Sequence, residues 1–239
     1  MRSEKPVYKR VLLKVSGEAL AGDEKTGLDF AVMNEVCQVI GRCVAEGVEV
    51  GVVVGGGNFW RGVKNGEGKM NRAKADYMGM MATVMNCLAL QDVLEQNGVP
   101  AKVMTGLAIQ SVGEVFCVEK ADDYLKSGHV VIFGAGTGSP FFSTDTGAVL
   151  RAALIGADVV LLAKNVDGVY SADPRTDPTA VRYDSLSYEE VLAQRLAVMD
   201  STATCMAMDN RIPVMVFALK DPENILRVLH GEAVGTIVR

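Results

Sequence analysis

Three segments carry small residues directly after an apolar run: VLLKVSGEAL (11–20), VGVVVGGGNFWRG (50–62) and VVIFGAGTGSPFFSTDTG (130–147). Glycine in such a loop lets the backbone approach an anion closely. Successive N–H groups ahead of a helix then form a nest that takes phosphate. One glycine-rich turn is commonly only a turn, but three after separate strands point to anion or nucleotide binding. Lys14 stands within the first apolar run beside Ser16 and Gly17. A buried ammonium is costly unless an anion meets it; the alternative is a surface lysine on an edge strand. Phosphoryl transfer asks mainly for positioning and charge neutralisation, supplied by lysine, arginine, Mg²⁺ and backbone amides. A phosphate acceptor is already ionised at neutral pH and needs no general base. That chemistry suits a chain whose only histidines, His129 and His230, stand far apart.

Better-known phosphate motifs fail. Gly134, Gly136 and Gly138 would need glycine at 139 to make the dinucleotide fingerprint, and Ser139 stands there. Asp158 precedes its neighbouring strand, where a ribose-binding acid should close one. A Walker A loop is absent. Cys37, Cys43, Cys87, Cys117 and Cys205 lack the spacing of a zinc site or a disulfide framework, and Cys37 and Cys43 read as reduced core thiols.

The elements that must position these loops are legible. β-branched runs predict strands over 8–15, 48–54, 101–104, 129–134, 159–163 and 213–217, alternating with helical patterns, the form of a parallel sheet flanked by helices. Val32, Val36, Val39, Ile40 and Cys43 share one helical face that Gly47 ends. A long helix over 70–96 places Met78, Met81, Met85 and Leu88 at spacings of three and four, predicting a buried face. Ser187 and Glu190 form a capping box, and Asp221-Pro222 starts a helix. In a parallel sheet the three loops emerge together at the carboxyl ends of the strands, where ligands bind in open α/β folds.

Composition sets the outer bounds. The 239 residues are 49% hydrophobic and 22% charged, which argues for a globular fold and against disorder. The net charge of −5 offers no broad basic field for nucleic acid. No stretch has the length of a membrane span. A soluble cytoplasmic chain with a single domain over 1–239 is the expectation.

The set LLKVSGEAL, VVVGGGNFWRG, MNRAKADYMGMMATVMN, GAGTGSPFFSTD and KNVDGVYSADP, in that order, resembles the bacterial uridylate (UMP) kinases of the amino-acid kinase family, from about residue 7 to the C-terminus. The resemblance implies an α/β fold, a three-layer αβα sandwich around a largely parallel β-sheet, and phosphoryl transfer from Mg-ATP to UMP in pyrimidine nucleotide biosynthesis. It implies catalytic roles for Lys14, Arg61 and Asp145. ATP contacts would come from Lys14, Val15, Ser16, Gly17, Gly57, Arg61, Asn165, Tyr170 and Asp173. Position 164 is a lysine where some relatives carry threonine. UMP contacts would come from Gly56, from Asp76 at the ribose hydroxyls, and from the wrapping loop Thr137, Gly138, Ser139, Pro140, Phe141, Phe142, Ser143 and Thr144. Phe141 and Phe142 either touch the base or form a buried aromatic pair. Members are typically homohexamers activated by GTP and inhibited by UTP, and Gly22, Asp23, Glu24, Lys25, Thr26 and Gly27 match the proposed GTP region. Mg²⁺ enters with ATP, and no protein residue is assigned to it.

The alternatives are another amino-acid kinase, acting on carbamate or an amino acid, and a nucleotide-binding relative without catalysis. Amino-acid acceptors carry carboxylates that favour a cationic partner, and residues 137–144 contain no Lys or Arg.

Overall fold

Runs of Val, Ile and Leu form strands where their pattern predicts them. A computed structural model describes residues 5–24, 26–61, 70–196 and 198–239. The long strands are β1 (Arg10–Val15), β2 (Glu49–Val54), β3 (Ala101–Thr105), β5 (Val130–Gly134), β6 (Val159–Lys164) and β10 (Val214–Ala218); short strands are β4 (Glu114–Val115), β7 (Val169–Tyr170), β8 (Arg182–Tyr183), β9 (Ser185–Leu186) and β11 (Thr236–Val238). Nine of them form one sheet in the order β4-β3-β5-β2-β1-β6-β10-β11-β9. Pairing is parallel from β4 through β10; β11 then runs antiparallel to β10, with β9 parallel to β11. Short strands escape a pattern search because two or three residues carry no periodicity.

β1 lies mid-sheet, with Lys14 opposite Val53 of β2 and Leu162 of β6. This register excludes an edge-strand surface lysine. Side chains alternate across a strand, and the two faces meet different helices. Val11, Leu13 and Val15 pack with α1 (Phe30–Ala45), α2 (Arg72–Gln96) and the C-terminal α7 (Asn224–Leu229). Leu12, on the face it shares with Lys14, packs with α3 (Val118–Lys126), α4 (Thr144–Ile155), α5 (Tyr188–Ala193) and α6 (Ser201–Asp209). The result is three layers, helix on sheet on helix. Burial on both sides explains why these strands read as continuous apolar runs.

The stop and start signals work locally. Asp29 caps α1 by accepting from the amides of Ala31 and Val32 at 3.0 and 3.2 Å. Ser187 and Glu190 form the full capping box of α5. Cys37 and Cys43 are buried free thiols, and burial pushes both up to about 12.

The predicted face of the long helix is wrong. Met78, Met81, Met85 and Leu88 are 42%, 40%, 51% and 40% exposed, while Met80, Val84, Cys87, Leu90 and Leu94 are buried. α2 is apolar on both sides, so spacings of three and four fit two faces equally, and only docking on the sheet chooses between them. The Val-Asp-Gly-Val segment leads from β6 into β7, which pairs antiparallel with β8 across residues 171–181. Among the described residues no helix is long and apolar enough to cross a membrane.

Phe133 sits 1% exposed in the α4-side core and meets Phe116 edge-on at 5.6 Å. Phe133→Ala should lower the unfolding free energy by about 3–5 kcal/mol, read from the shift of the urea midpoint.

Candidate functional site

The carboxyl edge of the sheet brings the three loops together, and their backbones touch. A Cβ on Gly17 would lie 2.4 Å from both the Gly55 carbonyl oxygen and Asn58 Oδ1. Glycine at 17 is therefore a packing requirement between the first loop and the GGGN loop. A Cβ on Gly56 would lie 2.8 Å from Ala82 Cβ and the Gly79 carbonyl oxygen of α2. The GGGN loop is held by a buried amide pair. Asn58 Nδ2 donates to Asn86 Oδ1 at 2.9 Å, and Asn86 Nδ2 donates to Asn58 Oδ1 at 2.8 Å. The same nitrogens reach the carbonyls of Gly27 and Gly55, each at 2.7 Å.

Lys14 and Asp145 meet at the base of this edge. Their side chains are 13% and 18% exposed, with Nζ 2.9 Å from Oδ1. Asp145 lies in the first turn of α4, where the positive end of the helix dipole favours a carboxylate. Its Oδ1 is buried and has no hydrogen-bond donor aligned on it, so the contact with Lys14 is an ion pair rather than an oriented hydrogen bond. An oxygen so placed can serve a hard divalent cation, which takes carboxylate oxygens. Ser143 caps α4, accepting from Thr146 N at 3.0 Å.

Beside this pair opens a cleft of about 840 Å³. Gly56, Gly57, Arg61, Asp76, Thr137, Ser139, Phe141, Phe142, Ser143 and Thr144 all line it, so most of the predicted acceptor loop and two residues of the GGGN segment share one space. Gly138 and Pro140 do not line it; Gly138 (φ +82°) instead lets the chain turn against Gly106, whose carbonyl oxygen would lie 2.4 Å from a Cβ. Asp76 accepts from Arg72 Nε at 2.9 and 3.0 Å and from the Phe141 amide at 2.9 Å. Phe141 adopts a left-handed backbone (φ 71°), and it and Phe142 are 69% and 52% exposed, which rules out a buried aromatic pair. Arg61 is ion-paired with Glu18 of the first loop.

A second pocket of about 400 Å³ is lined by Tyr170, Asp173, Arg175 and Leu196 among others. The Tyr170 hydroxyl donates to Asp167 at 2.7 Å. Arg175 holds the Asp173 carboxyl well below its usual range, at about 2. Asn165 is exposed in the bend after β6 and does not line this pocket. Gly22, Asp23, Glu24, Thr26 and Gly27 line neither cleft, although Gly27 is fastened to the GGGN loop, its amide donating to the Asn58 carbonyl at 3.2 Å. Lys25 lies outside the described residues.

Several contributors carry no motif. Asp200 caps α6 through Ala203 N at 3.1 Å and accepts from the hydroxyls of both Ser143 and Thr146, tying the acceptor loop to a helix fifty-odd residues onward in the chain. Its only sequence signal is an acidic residue ahead of Ser201, an N-cap pattern. Asn86 looks like a polar interruption of an apolar helix. Arg151 is 5% exposed, lies over the Phe116 ring at 3.9 Å and donates to the Gly136 carbonyl at 3.1 Å; burial pushes its guanidinium down to about 10. Asn86→Leu would leave Asn58 Oδ1 and the Gly55 carbonyl without the Asn86 donor, and should cost about 2–4 kcal/mol in a denaturant titration.

Residues 9–218 match the amino acid kinase family. Among solved structures, the UMP kinase of Bacillus anthracis superposes with a TM-score of 0.94 at 37% identity, covering 97% of this chain and 96% of that one. The UMP kinase of Ureaplasma parvum gives 0.91 at 36% identity, over 100% of this chain and 99% of that one. The uridylate kinase of Archaeoglobus fulgidus gives 0.74 at 32% identity, over 96% and 99%.

Proposed function

The chain belongs to the amino acid kinase family, and from that premise we propose that it is a UMP kinase, transferring the γ-phosphoryl group of Mg-ATP to UMP to give ADP and UDP. The observation that carries this reading is the Lys14–Asp145 ion pair at the sheet's carboxyl edge, beside a cleft large enough for a nucleotide and lined by the hydroxyl-rich 137–144 loop. UMP occupies that cleft. Gly56 amide and backbone groups of the loop take its phosphate, Asp76 its ribose hydroxyls, and Thr137, Ser139, Ser143 and Thr144 supply neutral donors and acceptors for uracil. Gly138 and Pro140 shape the loop, and Phe141 and Phe142, exposed at the rim, cover the base. An uncharged base requires no cation from this loop, which has none.

ATP lies along the first loop, with its phosphates against Lys14, Val15, Ser16, Gly17, Gly57 and Arg61 and its nucleoside towards Asn165, Tyr170 and Asp173. Mg²⁺, when bound with ATP, neutralises phosphate charge; Asp145, with a buried oxygen free of aligned donors, is the residue suited to hold it. An oxygen of the acceptor phosphate forms the new bond to the γ-phosphorus, and the bond to the bridging oxygen breaks with its electrons passing to ADP. No proton has to be removed from an ionised acceptor. Lys14, released from Asp145, follows the charge on the moving group. Arg61 leaves Glu18 to do the same.

A single domain over 1–239, a place in pyrimidine nucleotide synthesis in the cytoplasm, and control by GTP and UTP complete the proposal. The loop 22–27 is the candidate GTP region, connected to the catalytic loop through Asn58. Homo-oligomerisation, with a hexamer as the expected state, gives the exposed Met78, Met81, Met85 and Leu88 face of α2 an apolar partner.

ADP release from Mg-ATP should occur with UMP and not with AMP, GMP, carbamate, aspartate or glutamate. Turnover only with carbamate or an amino acid would keep the fold and replace the substrate. Lys14→Ala should lower kcat on the order of 10²-fold or more while UMP binding holds. Asp76→Asn should raise KM for UMP on the order of 10-fold with KM for ATP little changed; an equal loss for both would make Asp76 structural.

A further inference from the structure

The loop that lines the acceptor cleft is braced from behind by a buried cation that the proposed mechanism does not use. Arg151 lies about two turns into α4, 5% exposed, with its guanidinium 3.9 Å from the centre of the Phe116 ring. Among the described residues its hydrogen bond runs from Nη2 to the Gly136 carbonyl at 3.1 Å, and its buried Nε has no acceptor. Burial pushes the guanidinium down to about 10, so it is still protonated at neutral pH, and no carboxylate opposes that push. A buried charge without a counter-ion is costly, and the aromatic face offsets only part of the cost. A neutral donor would satisfy one carbonyl as well, so fastening a loop does not by itself account for a cation.

What the cation holds is one peptide unit. The Gly136 carbonyl belongs to the same trans peptide as the Thr137 amide, so the two point in opposite directions. Arg151 draws the carbonyl away from the cleft, which Gly136, Thr137 and the start of α4 line and Arg151 does not. The Thr137 N–H is thereby turned towards the cleft. It has no acceptor among the described residues, whereas the Thr137 hydroxyl is engaged with Ser139 within the loop. The flanking backbone is fixed as well. Ala135 and Gly136 are both left-handed, at φ 58° and 54°; the Ala135 amide donates to Thr83 Oγ1 at 2.8 Å, and its carbonyl accepts from Gly138 N at 2.9 Å. α4 presents Gly147 to this peptide, where a Cβ would lie 3.5 Å from the Gly136 carbonyl carbon and 3.7 Å from Thr137 N.

We propose that Arg151 is a positioning residue for recognition of the base: it fixes the Gly136–Thr137 peptide so that Thr137 N–H meets the uracil carbonyl oxygen that cytosine replaces with an amino group. The proposal rests on the UMP reading above. A charged donor on the carbonyl polarises the peptide and strengthens its N–H as a donor. An N–H held in that orientation favours uracil and opposes cytosine, whose amino group has no lone pair to offer it.

Arg151→Met keeps an unbranched side chain under the Phe116 ring but removes charge and donor, and Arg151→Lys keeps a charged donor. The full-length wild type and both variants would be compared for kcat and KM with UMP, CMP and Mg-ATP, and for Tm. The methionine variant should raise KM for UMP on the order of 10-fold, leave KM for Mg-ATP within about 2-fold, and lower the UMP-to-CMP ratio of kcat/KM on the order of 10-fold. The lysine variant should keep both within about 3-fold of the wild type, since it retains the charge. A wild-type KM for UMP and an unchanged UMP-to-CMP ratio in the methionine variant would overturn the proposal. So would equal losses for UMP and Mg-ATP that lysine does not repair, the mark of a structural role. Should the methionine variant fail to fold, hydrogen–deuterium exchange in the wild type decides: UMP should slow exchange of the Thr137 amide and Mg-ADP should not, and exchange unmoved by UMP would overturn the proposal. If the wild type released no ADP with UMP, the UMP reading would fall and this proposal with it, whereas an unaffected methionine variant beside an active wild type would strike the role of Arg151 alone.

Discussion

A lysine in the centre of a parallel sheet needs an anion, and most of this molecule can be understood from how that need is met. Lys14 has strands on both sides and lies on the face of β1 that the α4 layer covers. Within that layer, the first turn of α4 supplies Asp145. In the proposed mechanism the pair is a resting arrangement: Asp145 has an oxygen without an aligned donor, and Lys14 would exchange the carboxylate for a phosphate. Phosphoryl transfer uses such exchangeable neutralisation, because charge migrates from donor to acceptor while the protein dipoles stay in place.

The surrounding loops keep that exchange local. Gly17 passes so close to Gly55 and Asn58 that no side chain fits between them. The Asn58–Asn86 amide pair ties the GGGN loop to α2, and Asp200 ties the start of α4 to α6. Buried amide and hydroxyl networks of this kind are favourable only when fully satisfied, and then they hold one geometry. The anion-facing backbone is thus fixed by side chains that need not touch a ligand themselves.

The molecule keeps its adaptable parts at the rim. Phe141 and Phe142 are exposed, Asp76 is occupied by Arg72 and the Phe141 amide, and Arg61 by Glu18. Each of these charged groups has a protein partner, which a nucleotide would displace in the proposed complex. The α2 face carrying Met78, Met81, Met85 and Leu88 is another exposed apolar feature, on the helix whose Asp76, Gly79 and Met80 line the cleft.

The sequence by itself determined the long strands, their parallel character, the capping of α1 and α5, and the shared edge of the three glycine-rich loops, because each is written in near-neighbour spacing: period two, period 3.6, or a cap beside its helix. It also singled out Lys14 as a charge that burial would leave in need of an anion. Tertiary structure alone decided that β1 is central, that Asp145 is the partner of Lys14, that the buried side of α2 carries Met80 and Val84 rather than Met78 and Met85, and that Asn86 and Asp200 brace the loops of the cleft. None of these follows from local pattern. α2 offers two faces of equal period, and Asn86 and Asp200 meet their partners through β-sheet order and helix docking, contacts made across long stretches of chain.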